Sequence, residues 1–251
     1  MMPSILLPRA TWVAMGLPVL LLLAGCATTR DLSPDPRDPL ERINRMSFAF
    51  NEGADRWVAK PAAKAYQAVT PQFVETGVSN FYRNLLYPRV VINDLLQGKP
   101  GYAASGLTRF VVNSTLGLGG LLDPAASLGL ALRDEDFGQT LGVWGISSGP
   151  YLVLPLLGPS SARDAVGRVA DEFTEPPHYL KDDRTRIGLT AGRLLDRRAR
   201  LLSTDRLLER AADKYTFVRS AYLQREAYLV SDGEIDVPPA DEPSELEPED
   251  Y

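Results

Sequence analysis

A pentapeptide near the middle of the chain has the spacing of a serine nucleophile. Gly145-Ile146-Ser147-Ser148-Gly149 matches G-x-S-x-G, which places a serine on a tight turn between a strand and a helix in the α/β-hydrolases. The only histidine, His178, follows in the required order. However, the three residues before the motif form a poor strand, and no parallel sheet is evident to carry the turn. We therefore expect no catalytic residue, and a membrane-bound lipid hydrolase using Ser147 is the weaker alternative.

Three consecutive carboxylates are the best candidates for a metal site. Asp134, Glu135 and Asp136 have the oxygen ligands that a hard cation prefers, although consecutive acids more often form a solvated turn. One histidine and one cysteine give no support to a His/Cys metal site. Residues 117–120 also lack the glycine spacing of a nucleotide-binding loop. The sequence thus predicts no metal and no cofactor.

The single cysteine has a clear chemical context. Leu23-Ala24-Gly25-Cys26 follows one basic residue, Arg9, and a short apolar run, which is the lipobox pattern of a bacterial lipoprotein signal. We predict cleavage before Cys26, with lipid on its sulfur and its amine; the alternative is an ordinary signal with a chance cysteine. More than one acyl chain anchors a protein stably. Because Ala27 replaces the aspartate of the inner-membrane retention signal, we expect an outer-membrane lipoprotein.

Composition divides the chain into four segments. We expect a signal peptide at residues 1–25, a lipidated tether at 26–37, one helical domain at 38–230 and a disordered acidic tail at 231–251. The tail carries nine acids, four prolines and no base, which is a composition that cannot bury a core. The whole chain has a net charge of −5, whereas residues 26–230 carry about +3. Export and the lack of a basic patch exclude nucleic acid as a partner.

Apolar periodicity predicts an all-α fold. Residues 40–58, 78–97, 101–117 and 185–230 repeat apolar side chains every three or four positions, and we find no run of alternating strands. Asp38 is predicted to cap the first helix and Pro61 to end or bend it. Pro88 predicts a break or kink near residues 86–87. Ser161 and Asp164 have the spacing of a capping box for a helix toward Phe173.

Residues 137–162 form a long stretch without any charged residue. Its length would cross a lipid core as one helix, but Pro150, Pro155 and Pro159 rule out a smooth helix. Backbone interrupted in this way is tolerated at membrane depth only where protein or a water-filled cavity satisfies its polar groups. A buried loop of a soluble domain has the same composition, so the two interpretations remain open on composition alone.

Short motifs over residues 38–230 resemble the MlaA/VacJ family of outer-membrane lipoproteins. In chain order they are Asp38-Pro39-Leu40-Glu41, Asn44-Arg45, Phe50-Asn51, Asn80-Phe81, Asn84-Leu85, Leu96-Gln97-Gly98, Arg109-Phe110 with Asn113, Gly117 with Gly119-Gly120, Phe137-Gly138, Thr140-Leu141-Gly142, Gly149-Pro150-Tyr151, Leu154-Pro155, Gly158 and Arg163-Asp164. The resemblance implies a ring-like helical protein in the periplasmic leaflet of the outer membrane, with broken amphipathic helices around a central pore.

The same resemblance implies a function without covalent chemistry. Phospholipids misplaced in the outer leaflet would pass through an amphipathic channel beside a porin trimer to a soluble periplasmic carrier, which maintains lipid asymmetry. Gly142, Gly145 and Gly149 would hinge a pore-gating loop, although tight helix packing explains the same glycines equally well. Phe50 and Asn51 are candidates for positioning the protein in the membrane. The alternative is a structural or assembly lipoprotein that binds an outer-membrane barrel without moving lipid.

Overall fold

The computed structural model describes residues 35–234, which are mostly helical. The helices are α1 (Glu41–Ala54), α2 (Lys60–Val69), α3 (Gln72–Leu96), α4 (Pro100–Thr115), α5 (Pro124–Ser127), α6 (Phe137–Val143), α7 (Ala162–Glu172), α8 (Asp183–Leu201), α9 (Asp205–Arg210) and α10 (Lys214–Val230). One hairpin of two short strands, β1 (Tyr151–Leu154) and β2 (Gly158–Ser161), interrupts them. The predicted all-α class is confirmed, and the hairpin is an element that the sequence did not predict.

Pro61 does not end the first helix. A π-helical turn at Asp55–Ala59 joins α1 to α2, and in it the Lys60 amide donates to the Asp55 carbonyl, five residues back. Pro61 then falls in the first turn of α2, directly after this wide turn. The wide turn supplies the change of hydrogen bonding that a proline inside a continuous helix requires.

Of the break or kink predicted at Pro88, the break is wrong. α3 runs as 25 residues with Pro88 inside it, and α4 packs along it. Gly106 of α4 lets the two helices approach closely, since a Cβ there would lie 3.3 Å from both Tyr87 and Val91. This packing offsets the cost of about 3 kcal/mol that an interior proline brings. No helix in the described part of the chain combines the length and apolarity needed to cross a bilayer.

Side-chain amides hold the hairpin in place. Asn44 of α1 donates from Nδ2 to the Tyr151 carbonyl (2.9 Å) and accepts at Oδ1 from the Val153 amide (2.9 Å). Asn44 also donates to Asp38 (2.8 Å), and the same carboxylate accepts from Tyr215 and Arg219. Asp38 therefore makes no N-cap bond to α1, contrary to expectation. The cap predicted at Ser161 is confirmed, since its hydroxyl accepts from the Asp164 amide at 3.1 Å.

The interior of the described chain is more polar than its surface. Nine apolar residues are buried there, against seventeen that are polar or charged, including Asn93, Asp94 and Thr140 with no measurable exposure. Thirty-six large apolar side chains are exposed, among them Trp57 at 80% and Phe73 at 77%. This distribution reverses that of an ordinary water-soluble domain, in which buried residues are mainly apolar.

Contacts between the elements close a circuit. α2 packs on α8, α8 on α3, α3 on α6, and α6 on α10; α10 packs on β2, β2 pairs with β1, and β1 packs on α1, which continues into α2. The register of the hairpin pairs Tyr151 with Ser161. A closed circuit of neighbouring elements gives the molecule a ring-like arrangement.

Candidate functional site

A cavity of about 670 Å³ lies where α6, α7 and α10 meet the turn between α3 and α4. Apolar side chains of Val143, Leu223 and Val230 line it together with charged ones. The charged residues are Arg37, Lys99, Arg163, Glu226 and Asp232. A wall with both charged and apolar groups suits an amphipathic molecule better than a wholly polar one.

Arg163 and Glu226 form a buried ion pair on this wall. Arg163 at the start of α7 contacts the Glu226 carboxylate of α10 and donates to the Ile146 carbonyl at 3.1 Å. Burial raises the pKa of Glu226 to about 7; repulsion from Asp164 acts in the same direction, and Arg163 opposes both. The sequence did not single out Glu226, although it lies four residues after Tyr222 on the apolar stripe of α10, which is the signal that would have identified it.

The start of the acidic tail docks against the cavity. Residues 231–234 form a turn after α10, and Asp232 lies in the left-handed region with φ of 54°. Asp232 contacts Lys99 and pairs with Arg133 at 3.0 Å, and Arg133 lies 3.3 Å from the fully buried Asp94. Burial raises the pKa of Asp94 to about 6. Lys99 and Arg133 are therefore both paired with acids at the cavity edge.

The three candidate glycines have different surroundings. Gly142 lies in α6 at the cavity wall, where a Cβ would stand 2.7 Å from Arg163 Nη1 and 2.9 Å from Val230 Cγ2. This is close packing. Gly145 and Gly149 lie in the loop between α6 and β1 with φ of 87° and 67°, a region that disfavours other residues. Gly145 has open space around its Cα. Of the three, only Gly145 and Gly149 have a backbone conformation that favours glycine; the predicted hinge stays a prediction.

Phe50 and Asn51 also differ in what they contact. Asn51 donates to the Leu154 carbonyl (2.9 Å) and accepts from the Leu156 amide (2.6 Å), so it fixes the tip of the hairpin on α1. Phe50 is exposed. At the tip, Leu156 and Leu157 are exposed as well. The pair thus joins an apolar helix surface to an apolar hairpin tip.

The serine motif lacks the surroundings that a nucleophile requires. Ser147 lies in the loop after α6 and before β1, where the motif demands a strand before the serine and a helix after it. His178 lies in a separate 3-10 turn, with Nδ1 3.8 Å from Glu172. The structure therefore gives no support to the hydrolase alternative.

The three consecutive carboxylates bind different partners. Asp134 pairs with Arg89 and Arg225, Glu135 contacts Arg133, and Asp136 caps α6 through the Gln139 amide. Within residues 35–234 no cluster of potential metal ligands is present. Cys26, the predicted signal peptide and most of the tether and tail lie outside the described residues.

Comparison with known proteins supports one family over most of this chain. The family model described as MlaA lipoprotein matches residues 36–229. The chain is 37% identical over 218 residues to the intermembrane phospholipid transport system lipoprotein MlaA of Escherichia coli (strain K12), covering 85% of this chain and 86% of that protein. It is 34% identical over 229 residues to the protein so named from Haemophilus influenzae, with 86% and 88% covered.

A solved structure has a similar fold. It is described as the structural basis for maintenance of bacterial outer membrane lipid asymmetry, and it superposes with a TM-score of 0.70 at 36% identity, covering 77% of this chain and 98% of the solved one. The family match, the identities and the shared fold agree with the motifs in the sequence. The chain belongs to the MlaA lipoprotein family.

Proposed function

We propose that this protein is the lipoprotein component of a phospholipid transport system that removes mislocalised phospholipids from the outer leaflet of the outer membrane. The observation that carries the proposal is the reversed burial: a polar interior under a surface with thirty-six exposed large apolar side chains. The names of the relatives from Escherichia coli and Haemophilus influenzae support the same system.

The physical reason is that a surface rich in apolar side chains is more stable against lipid tails than in water. A large apolar side chain left in water forgoes about 1.5–3 kcal/mol relative to burial, so an exposed set of this size favours contact with lipid tails. Short, interrupted helices are acceptable at membrane depth when neighbouring protein satisfies their backbone. Such a protein lies in one leaflet of the bilayer, held by lipid on Cys26 and by its own apolar surface.

The route through the ring suits an amphipathic cargo. Polar side chains from several helices meet in the interior, and the cavity has both charged and apolar lining residues. A headgroup then moves past polar groups while the acyl chains contact apolar ones. The protein acts without covalent chemistry, beside a porin trimer in the outer membrane, and passes the lipid to a soluble periplasmic carrier.

The loop between α6 and β1 gates this route in the proposed mechanism. Gly145 and Gly149 are the hinge positions, because their left-handed backbone conformations belong to a loop that starts at the cavity wall. Phe50 and the hairpin tip that Asn51 holds position the ring at its depth in the leaflet. Arg163 anchors the loop through its bond to the Ile146 carbonyl.

Complementation of a deletion strain tests the proposal. In a strain lacking its own family member we expect phospholipid to accumulate in the outer leaflet, measured by the fraction that added phospholipase cleaves on intact cells. We expect the wild-type chain to restore the low fraction, and Cys26→Ser, which cannot be lipidated, to fail.

Restored porin levels with an unchanged cleaved fraction would contradict the proposal and favour the assembly alternative. Equal rescue by Cys26→Ser would contradict the predicted anchor while leaving transport standing.

A further inference from the structure

Five arginines from four helices converge on one part of the ring. They are Arg89 of α3, Arg168 of α7, Arg193 and Arg197 of α8, and Arg225 of α10, and we call them the arginine cluster. Asp134 bridges Arg225 and Arg89 at 3.2 Å from each. Glu175 bridges Arg89 and Arg193 at 3.2 Å and 3.1 Å. One chain of ion pairs therefore links α8, α3 and α10.

Two members of the arginine cluster have no acidic partner within residues 35–234. Arg197 makes no ion pair or hydrogen bond there, and Arg168 donates only to the Pro159 carbonyl at 3.0 Å. Two other acids near Arg89 are already engaged: Asp171 accepts from Asn93 and the Phe137 amide, and Asp136 caps α6. The arginine cluster thus keeps positive charge that the described chain does not neutralise.

Arg197 lies four residues after Arg193 in α8, so the two side chains share one face of that helix. The Arg197 side chain is exposed to solvent. Desolvation by the surrounding protein and repulsion from Arg168, Arg193 and Arg225 lower the pKa of Arg197. Asp134 acts in the opposite direction, but Arg89 and Arg225 already share its charge. Repulsion among neighbouring like charges costs stability, and an anion bound between them removes that cost.

We propose that Arg197, with Arg168 and Arg225, binds the phosphate group of a phospholipid as it passes through the ring. This inference rests on the proposed transport function and assigns the headgroup contact within it. Guanidinium groups form paired, charge-assisted hydrogen bonds with phosphate oxygens. Asp134 competes for Arg225, so the phosphate is held weakly enough to leave, which any conducting path requires.

Binding by the purified, lipidated full chain in mixed micelles tests the assignment. The probes are short-chain phosphatidylglycerol, the diacylglycerol with the same tails but no phosphate, and inorganic phosphate. We expect Arg197→Gln to weaken phosphatidylglycerol binding roughly tenfold, about 1.4 kcal/mol, while diacylglycerol binding stays the same. Arg197→Lys keeps the charge and should lose less. Arg168→Gln is a second variant with the same expected direction.

Arg184→Gln is the matched control, because Arg184 is an exposed arginine of the same helix outside the arginine cluster. It should bind phosphatidylglycerol as the wild type does. Wild-type affinity in both Arg197→Gln and Arg168→Gln would overturn the assignment. So would equal wild-type affinity for phosphatidylglycerol and diacylglycerol. If inorganic phosphate displaced the lipid at equal concentration, the arginine cluster would be a free-phosphate site and the lipid assignment would fall.

The two proposals fail in different experiments. If the wild-type chain does not restore outer-leaflet asymmetry, the transport function fails whatever the micelle measurements give. If the wild-type chain restores asymmetry and the Arg197→Gln chain binds phosphatidylglycerol with wild-type affinity, transport stands and the headgroup site fails.

Discussion

Glu226 is a buried carboxyl whose ionisation is coupled to the stability of the fold. Its native pKa of about 7 lies above the ordinary value of 4.5, mainly because of burial. Asp94 and Asp171 are raised to about 6 from 3.8 for the same main reason. Between pH 4.5 and 7 the native state therefore binds more protons than the unfolded state, and stability falls as the pH rises.

Denaturant unfolding of the detergent-solubilised chain at pH 5 and pH 8 measures this effect. We expect the wild type to be less stable at pH 8, and Glu226→Gln to lose less stability over the same interval, because one titrating group is gone. Glu209→Gln is the control, since that side chain is exposed. Groups with lowered pKa values, such as Asp35 at about 2, lose their stabilisation below this interval. Equal pH dependence in wild type and Glu226→Gln would contradict the prediction.

At the scale of elements, Gly145 in the loop between α6 and β1 is the proposed hinge, whereas Gly142 in α6 makes a packing contact. Gly145→Ala places a Cβ in open space on a left-handed backbone, which costs about 1–2 kcal/mol and restricts the loop. If the loop gates the ring, this variant should change the outer-leaflet phospholipid fraction in cells at normal expression. Gly142→Val meets Arg163 and Val230 and should instead lower stability by about 1–3 kcal/mol.

Gly119→Ala is the matched control for the loop. Gly119 also has a positive φ (72°) and open space, but it follows α4, outside the proposed gate. It should lose similar stability and leave lipid asymmetry unchanged. An unchanged phospholipid fraction in Gly145→Ala would refute the gating role of that position.

Helices were predictable from the sequence, whereas their interruptions were not. The apolar repeats predicted α1 and α4 within a few residues and most of α3, which begins six residues earlier than predicted, because burying one face requires that spacing. Residues 185–230 were predicted to be helical, without separate bounds for α8, α9 and α10. Pro61 and Pro88 misled the prediction, because a π-helical turn and the packing of α4 keep those helices continuous. The hairpin was missed because its strands are four residues long and Asn44 of another element holds one of them.

For the molecule as a whole, the apolar surface predicts direct contact with lipid. Trp57 is 80% exposed beside Val58 on the π-helical turn. After signal cleavage the chain retains Trp57 and Trp144. In Trp144→Phe, which leaves Trp57 alone, we expect the emission to shift to shorter wavelength on transfer from a lipid-free amphipol to nanodiscs, and brominated lipid tails to quench it.

Trp57→Phe supplies the comparison. Trp144 is half exposed, but its indole donates to the Leu96 carbonyl at 3.0 Å and its ring packs against Phe137, so it should respond less to brominated tails. Stronger quenching of Trp144 than of Trp57 would place the membrane contact on a different face of the ring.

The sequence by itself determined the helical class, the prediction of a lipid anchor at Cys26 and the family motifs, because periodicity, a lipobox and short motifs are local. On composition alone, the uncharged stretch at residues 137–162 left a soluble loop and a membrane element open. Only the tertiary structure separated it into a helix, a loop and a hairpin, and showed the polar interior under an apolar surface. Burial, the cavity and the arginine cluster depend on residues far apart in the chain, which no local pattern brings together.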